Sequence, residues 1–300
     1  MDRRKFIGTL TAATVMANRF SWAAATHKID KIGLQLYTVR DAMEQDFHGT
    51  IARVATIGYK EVELAGFDQD AAGKVTYWKH SPEEVRAALD SQGLSAPSTH
   101  VKFSSLQPDN FARVLEASKV LGHSYIVCPW IEEEDRKRPD VWKHASEAFN
   151  HAGEACKKAG IQFAYHNHWF EFFPGADGKM PYDLLLAETD ANLVKMELDL
   201  CWIVVGGQDP LKYFAKYPGR FPLVHVKDMK KIPKVDTSGG QNFGDSLDMT
   251  SVGNGVIDWK QILGKSEQAG IKHYFVEHDK PQDPFASIEA SYAYLKPLRF

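Results

Sequence analysis

Two imidazoles stand at i and i+2 in Ala164-Tyr165-His166-Asn167-His168, directly after the apolar run Ile161-Gln162-Phe163-Ala164-Tyr165. Side chains alternate along a strand, so His166 and His168 face the same way and Asn167 the other. Two histidines so placed can ligate a metal or exchange protons near neutral pH. Ionisable residues end other apolar runs as well: Glu63, His100, Asp199, His225 with Lys227, and Glu277 with His278. Burying so many of them around one point is costly unless they pair with one another or bind an ion. A mixture of imidazoles and carboxylates from separate strands suits one divalent cation, Mn²⁺, Zn²⁺, Co²⁺ or Fe²⁺ rather than Mg²⁺, which prefers oxygen and retained water. Glu197, two residues before Asp199, and His225 also have a plainer reading. Glu197 shares a face with Asp199 and reads equally as an interior charge paired with Lys195 or Lys227. His225, between Val224 and Val226, shares a face with Lys227 and reads equally as a satisfied interior histidine.

The elements that must position these residues alternate from residue 31 onward. Strands are predicted at 32–39, 61–65, 96–101, 125–130, 161–165, 194–200, 222–228 and 273–278. Between and after them the pattern predicts helices at 47–57, from Ser81-Pro82 to about Gln92, and at 110–121, 141–159, 182–189, 209–217, 258–269 and 283–295. Ser81-Pro82-Glu83-Glu84 is a helix start, with a capping serine, proline at the first position and acid in the first turn. Gly58, Gly122, Gly160 and Gly270 are helix stops. Strict alternation implies parallel strands with right-handed crossovers. Eight such units fit a single closed (β/α)₈ barrel, whose chemistry sits at the carboxyl ends of the strands. An open doubly wound sheet lacks support, since no glycine-rich phosphate loop follows the first strand. The stretch 230–256 is longer than an ordinary βα loop. It follows strand seven, where a lid over the mouth, a dimer contact and a plain solvent loop are all open.

Composition narrows the partners. With 44% hydrophobic and 25% charged residues the chain reads as an ordinary globular protein. Asp2-Arg3-Arg4-Lys5-Phe6-Ile7-Gly8 resembles a twin-arginine export motif, followed by a short apolar stretch and an Ala23-Ala24-Ala25 cleavage site. Residues 1–25 are therefore predicted to be a signal segment and 26–300 the catalytic domain, working in the periplasm or outside the cell. That segment carries four basic residues and one acid, so its removal takes the net charge from −3 to −6. An acidic protein lacks the electrostatic footprint of a nucleic-acid binder. The apolar stretch is too short for a stable membrane span. Cys128, Cys156 and Cys201 show no CxxC spacing and are predicted to be buried free thiols. The oligomeric state is left open, a homo-oligomer included.

Asp199 ending strand six, His225-Val226-Lys227-Asp228 on strand seven and Glu277-His278 on strand eight resemble the xylose isomerase-like TIM barrels. Within these the chain is similar to the sugar phosphate isomerase/epimerase group, in an exported branch, over essentially the whole of residues 26–300. The resemblance implies one metal held by Asp199, His225 and Glu277, with His166 where epimerases carry a glutamate. It also sets Trp202 where they carry a substrate-binding histidine. These two departures turn the expected chemistry from two-glutamate epimerisation towards elimination or hydration next to a ketone. The expected reaction is proton removal beside a carbonyl, through a metal-stabilised enediolate. His168 is then the expected base, Glu277 the second candidate, and Lys227 a stabiliser of oxyanion charge or proton donor to a leaving hydroxyl. Glu63, His100, Trp202 and Lys227 are expected to grip a sugar, cyclitol or keto-sugar. Trp130, Trp169 and Phe170 offer flat faces for its ring. A non-catalytic carbohydrate-binding barrel and an endonuclease IV-like nuclease are the alternatives, the second opposed by the acidic charge.

Overall fold

The computed structural model describes residues 27–69, 73–138, 140–175, 178–234, 243–244 and 246–300. The predicted signal segment, residues 1–25, lies outside them. Eight parallel strands close a barrel: β1 (Gly33–Gln35), β2 (Glu61–Leu64), β3 (Ser95–His100), β4 (Tyr125–Cys128), β5 (Gln162–His166), β6 (Val194–Asp199), β7 (Leu223–Val226) and β8 (His273–Val276). The eight predicted strands are all present, in chain order around the barrel, with β1 paired to both β2 and β8.

Alternation along these strands builds two separate apolar layers. Leu34, Val62, Ile126, Phe163, Met196, Leu198, Val224 and Val276 belong to the large core between strands and helices. The intervening residues Tyr125, Val127, Ala164, Leu223 and Phe275 fill the barrel's interior as a second cluster. Phe275 fills it so completely that a Cβ on Gly33 would stand 2.6 Å from its ring. The same inward face, continued by two residues toward the carboxyl ends, carries the polar groups.

Helix starts follow the predicted chemistry. Ser81 and Glu84 form a reciprocal capping box around Pro82. Gly122 and Gly270 end their helices in the left-handed conformation, at φ 75° and 82°. Three elements differ from expectation. The first strand stops at Gln35, because the Gln35 side chain accepts from the Tyr37 amide and turns Leu36–Val39 into a 3₁₀ helix. The helix expected at 258–269 is broken at Gly264 into Trp259–Leu263 and Ser266–Ala269. Strand six runs straight into a helix, Leu200–Val205, whose first amides, those of Cys201 and Trp202, donate to Asp199 Oδ1.

The excursion after β7 is anchored rather than loose at its described ends. Asp228–Met229 pairs antiparallel with Met249–Thr250. The buried Asp228 carboxylate accepts from the Gly253 amide at 3.0 Å and from Trp259 Nε1 at 2.9 Å. Phe243 returns to pack edge-on to Trp169 beside the mouth. Residues 235–242 and 245 of this stretch, and with them the choice between lid, dimer contact and solvent loop, lie outside the described residues. Among the described residues no helix is long and apolar enough to cross a membrane, and all three cysteines are buried and free.

Candidate active site and metal centre

Four adjacent strands, β5 to β8, each bring a polar pair spaced by two residues to the mouth. The pairs are His166 and His168, Glu197 and Asp199, His225 and Lys227, and Glu277 and Asp279. Register locks them side by side, with His166 opposite Glu197 and Asp199 opposite His225.

At the deeper level three imidazoles converge on one carboxylate oxygen. Glu197 Oε2 lies 2.8 Å from His100 Nε2, 3.2 Å from His225 Nε2 and 3.3 Å from His166 Nδ1. Glu63 Oε2 stands 2.7 Å from His225 Nε2 and 3.1 Å from His100 Nε2. Its carboxylate also accepts from Gln35 Nε2 at 2.7 Å and from the Ser98 hydroxyl. At the upper level His225 Nδ1 lies 2.6 Å from Glu277 Oε2 and 3.9 Å from Asp199 Oδ2. Lys227 Nζ reaches Glu277 and Asp279 at 2.8 Å and Asp199 at 3.2 Å.

The electrostatics follow from this packing. Burial opposes charge on His100, but Glu63 and Glu197 outweigh it and lift the imidazole to about 9. Burial likewise opposes ionisation of Glu197, yet His225 and His100 hold its carboxyl below the usual range. Burial raises Asp199 to about 6 against the pull of Lys227. Lys227 itself stays charged, because Asp199, Asp279 and Glu277 overcome its burial. His168 goes the other way. Burial, reinforced by the Lys227 ammonium, drives it well below the usual imidazole range, so it stands neutral.

The predicted ligands His166, Asp199, His225 and Glu277 are brought together here. Among the described residues two sets of donor atoms lie within 4.8 Å of one another: His100, His166, Glu197 and His225, and Asp199, His225 and Glu277. His166 Nδ1, Glu197 Oε1 and Asp199 Oδ2 are buried without a hydrogen-bond partner. Such orphaned acceptors are costly unless something binds them, and an imidazole–carboxylate set of this kind suits a divalent ion. The residues therefore fit a metal.

Four expectations change. Glu197 pairs with neither Lys195, which donates to the Gly219 carbonyl at 3.4 Å, nor Lys227; it is the centre of the imidazole cluster. Glu63 does not face a substrate, since it is fully buried with its oxygens taken by side chains beneath the cavity. His100 lines the cavity, but its Nε2 points at Glu63 and Glu197 rather than outward. His278 turns away from the mouth to Ser287 Oγ, 2.8 Å off.

Above the cluster opens a cavity of about 630 Å³ walled by Trp130, His168, Trp169, Trp202, Lys227 and Glu277. The His168 ring stacks on Phe170 at 5.7 Å and meets the Trp130 ring edge-on at 4.7 Å, and its Nδ1 has no partner. Trp202 Nε1 is also buried and unpartnered, with Lys227 Nζ 5.4 Å from the ring.

Sequence reasoning missed the residues that hold these groups in place. Glu171 accepts from the His168 amide at 2.9 Å and from the Tyr165 hydroxyl at 2.6 Å, and burial raises it to about 7. Asn167 Oδ1 accepts from the Asp199 amide at 3.1 Å, tying β5 to β6. Asp279 lies beyond the end of β8, where no periodicity marks it; its spacing of two from Glu277 was the available signal.

Comparison with known proteins bears on the family and the fold. An inosose dehydratase of Clostridium tetani is 26% identical over 263 residues, covering 83% of this chain and 87% of that protein. Against the Lacticaseibacillus casei inosose dehydratase, 25% identical, the chain spans about half of the relative's length, 52%. A sugar phosphate isomerase/epimerase from Parabacteroides distasonis has a similar structure, with TM-score 0.70 and 30% identity over 92% of this chain and 95% of that one. The family described as xylose isomerase-like TIM barrel matches residues 51–298, and with the closed barrel and its strand-end cluster the chain belongs to that family.

Proposed function

We propose that this barrel is a metal-dependent lyase acting on a keto-sugar or keto-cyclitol, removing the proton beside the carbonyl and expelling a neighbouring hydroxyl as water. The observation that carries the reading is His168, a neutral imidazole with an unengaged Nδ1 in the cavity wall beside a charged Lys227. A base must be unprotonated before it acts, and burial keeps His168 so. Asp199, His225 and Glu277, with His166, would hold one divalent ion. Once bound, that ion supplies Lewis-acid polarisation of the substrate carbonyl.

The chain's own residues do the rest. His168 takes the proton from carbon, and the C–H electron pair becomes the new double bond as the β-hydroxyl leaves. The same imidazole returns the proton to that hydroxyl, so water departs and the base is restored. Lys227, pinned by three carboxylates, is a poor proton donor, and its fixed charge instead favours negative charge developing on the substrate oxygen. Trp202 Nε1 offers a donor to a substrate hydroxyl, and the tryptophan walls exclude water. The relatives described as inosose dehydratases support elimination. Isomerisation is the second reading, favoured by the Parabacteroides distasonis neighbour, and it begins with the same proton removal. We place the reaction outside the cytoplasm, on the twin-arginine-like segment.

The test is solvent exchange. Metal-loaded protein is incubated with inososes and keto-sugars in D₂O, and the proton beside the carbonyl is followed by NMR. Exchange, with or without a new enone absorbance, should fall about 10²–10⁴-fold in His168→Gln while the melting temperature holds. No exchange with any keto-sugar would remove the reading and leave the carbohydrate-binding alternative.

A further inference from the structure

A base must be held at a fixed angle as well as kept neutral. His168 Nδ1 is buried without a hydrogen-bond partner, so ring contacts carry the orientation of the imidazole on that side. It stacks on Phe170 at 5.7 Å with the planes 6° apart, and the Trp130 ring meets it edge-on at 4.7 Å. The torsion that turns an imidazole is broad, and stacked rings slide at small cost. Whatever fixes Phe170 and Trp130 therefore fixes the base.

One side chain reaches both rings. The Arg136 guanidinium carbon lies 3.7 Å from the Phe170 centroid and 4.8 Å from that of Trp130. The two rings also meet each other edge-on at 5.1 Å. Arg136 ends the short helix Glu133–Arg136 in the loop after β4, and its Nε donates to the Ile131 carbonyl at 3.0 Å. The guanidinium is thus tied to its own loop while it lies on a ring from the loop after β5. Arg136 and Phe170 stand behind the cavity wall, and Trp130 and His168 line it. Arg136 also acts on the backbone tie of the base. Burial raises the Glu171 carboxyl, and the Tyr165 hydroxyl, the His168 amide and the Arg136 charge all act against that rise.

We infer that Arg136 is a positioning residue for His168, holding the imidazole through Phe170 and Trp130 with Nδ1 unengaged in the cavity wall. This rests on His168 as the base but is separable from it. A planar guanidinium can lie on one ring and still reach the next, which an ammonium on a flexible stem does not reproduce. An arginine stem lying on aromatic faces often only covers them, and the test separates the two roles.

The experiment reads the ring and the reaction independently. In protein labelled with ¹³C-histidine and loaded with diamagnetic Zn²⁺, the His168 ring signal is assigned by its absence in His168→Gln. Arg136→Met should move or broaden that signal as the ring-current shifts of Phe170 and Trp130 change. In D₂O exchange with inososes and keto-sugars, its kcat should fall about 10–100-fold while KM holds. Arg136→Lys should recover part of both, and Lys137→Met, on the exposed side of the same loop, should change neither. Should Arg136→Met fail to fold, Phe170→Leu takes its place with the same expectation. An unmoved ring signal overturns the inference. So does a moved signal with unchanged kcat, or a rise in KM alone, which would put Arg136 to work on the substrate. If no keto-sugar exchanges in the wild type, the base reading falls, and the ring signal alone still decides whether Arg136 sets the imidazole.

Discussion

Lys227→Met separates the electrostatic argument from mere packing. Lys227 Nζ stands 2.8 Å from Glu277, 2.8 Å from Asp279 and 3.2 Å from Asp199, with its side chain almost wholly buried. At an effective dielectric of about 20, unit charges roughly 3 Å apart attract by about 5 kcal/mol. Three such contacts exceed the several kcal/mol of desolvation that burying an ammonium costs. Methionine fills the space but leaves the carboxylates facing each other, so metal-free protein should lose about 3–5 kcal/mol. Metal binding should respond in the opposite direction. Asp199 and Glu277 no longer share their oxygens with an ammonium, and each 1.4 kcal/mol so released tightens divalent-ion binding about tenfold. Urea denaturation of chelated protein measures the first effect, and Mn²⁺ titration calorimetry the second. A loss under about 1 kcal/mol together with weakened Mn²⁺ binding would refute the reasoning, because Lys227 would then be supporting the site's shape rather than its charge.

Three further expectations concern different parts of the molecule. Burial pushes His123 down to about 3, with Nε2 unpartnered. The unfolded chain therefore takes up a proton below about pH 6.5 that the folded chain refuses, and stability falls as pH falls. This group should cost about 2 kcal/mol between pH 7.5 and 5, a slope that His123→Phe removes from urea midpoints at the two pH values. In Gly255→Ala the new Cβ would stand 2.0 Å from Asp228 Oδ1, so the ribbon should lose about 1–3 kcal/mol, seen as a lower thermal midpoint than that of the wild type. Trp202→Phe removes an unpartnered buried N–H. If that group binds a substrate hydroxyl, KM should rise about 2–10-fold; an unchanged KM would assign Trp202 to the wall alone.

The barrel was legible because its signals are local. Alternation, capping residues and terminal glycines each act within a few positions, and the eight strands followed from them. The upper residues of the cluster were legible as a group too, since Asp199, His225 and Glu277 sit at strand ends where the period of two fixes their face. What could not be read is what lies opposite. Glu197 was visible as an inward acid, but its partner depends on shear between strands, which sets His166 rather than a lysine across from it. The same applies to Glu63, which reaches His225 Nε2 from β2, three strands away around the barrel with β1 and β8 between.

The repeated spacing of two explains how one barrel end holds both a charged cluster and a neutral base. On β5 the deeper member, His166, enters the network of carboxylates and the outer member, His168, lies among the aromatic residues of the cavity wall. Two residues along a strand is one level of the barrel, enough to move an imidazole from carboxylates to tryptophans. His166 and His168 differ by that step. His166 lies between Glu197 and Asp199 and has donors to share. His168 lies against Phe170 and Trp130, with the Lys227 ammonium disfavouring its protonation. Placing a carboxylate beside His168, as in Phe170→Glu, should raise its pKa and shift the pH profile of proton exchange upward, with exchange at neutral pH falling as the base becomes protonated. An unshifted profile would mean that the titrating base lies elsewhere in the mouth.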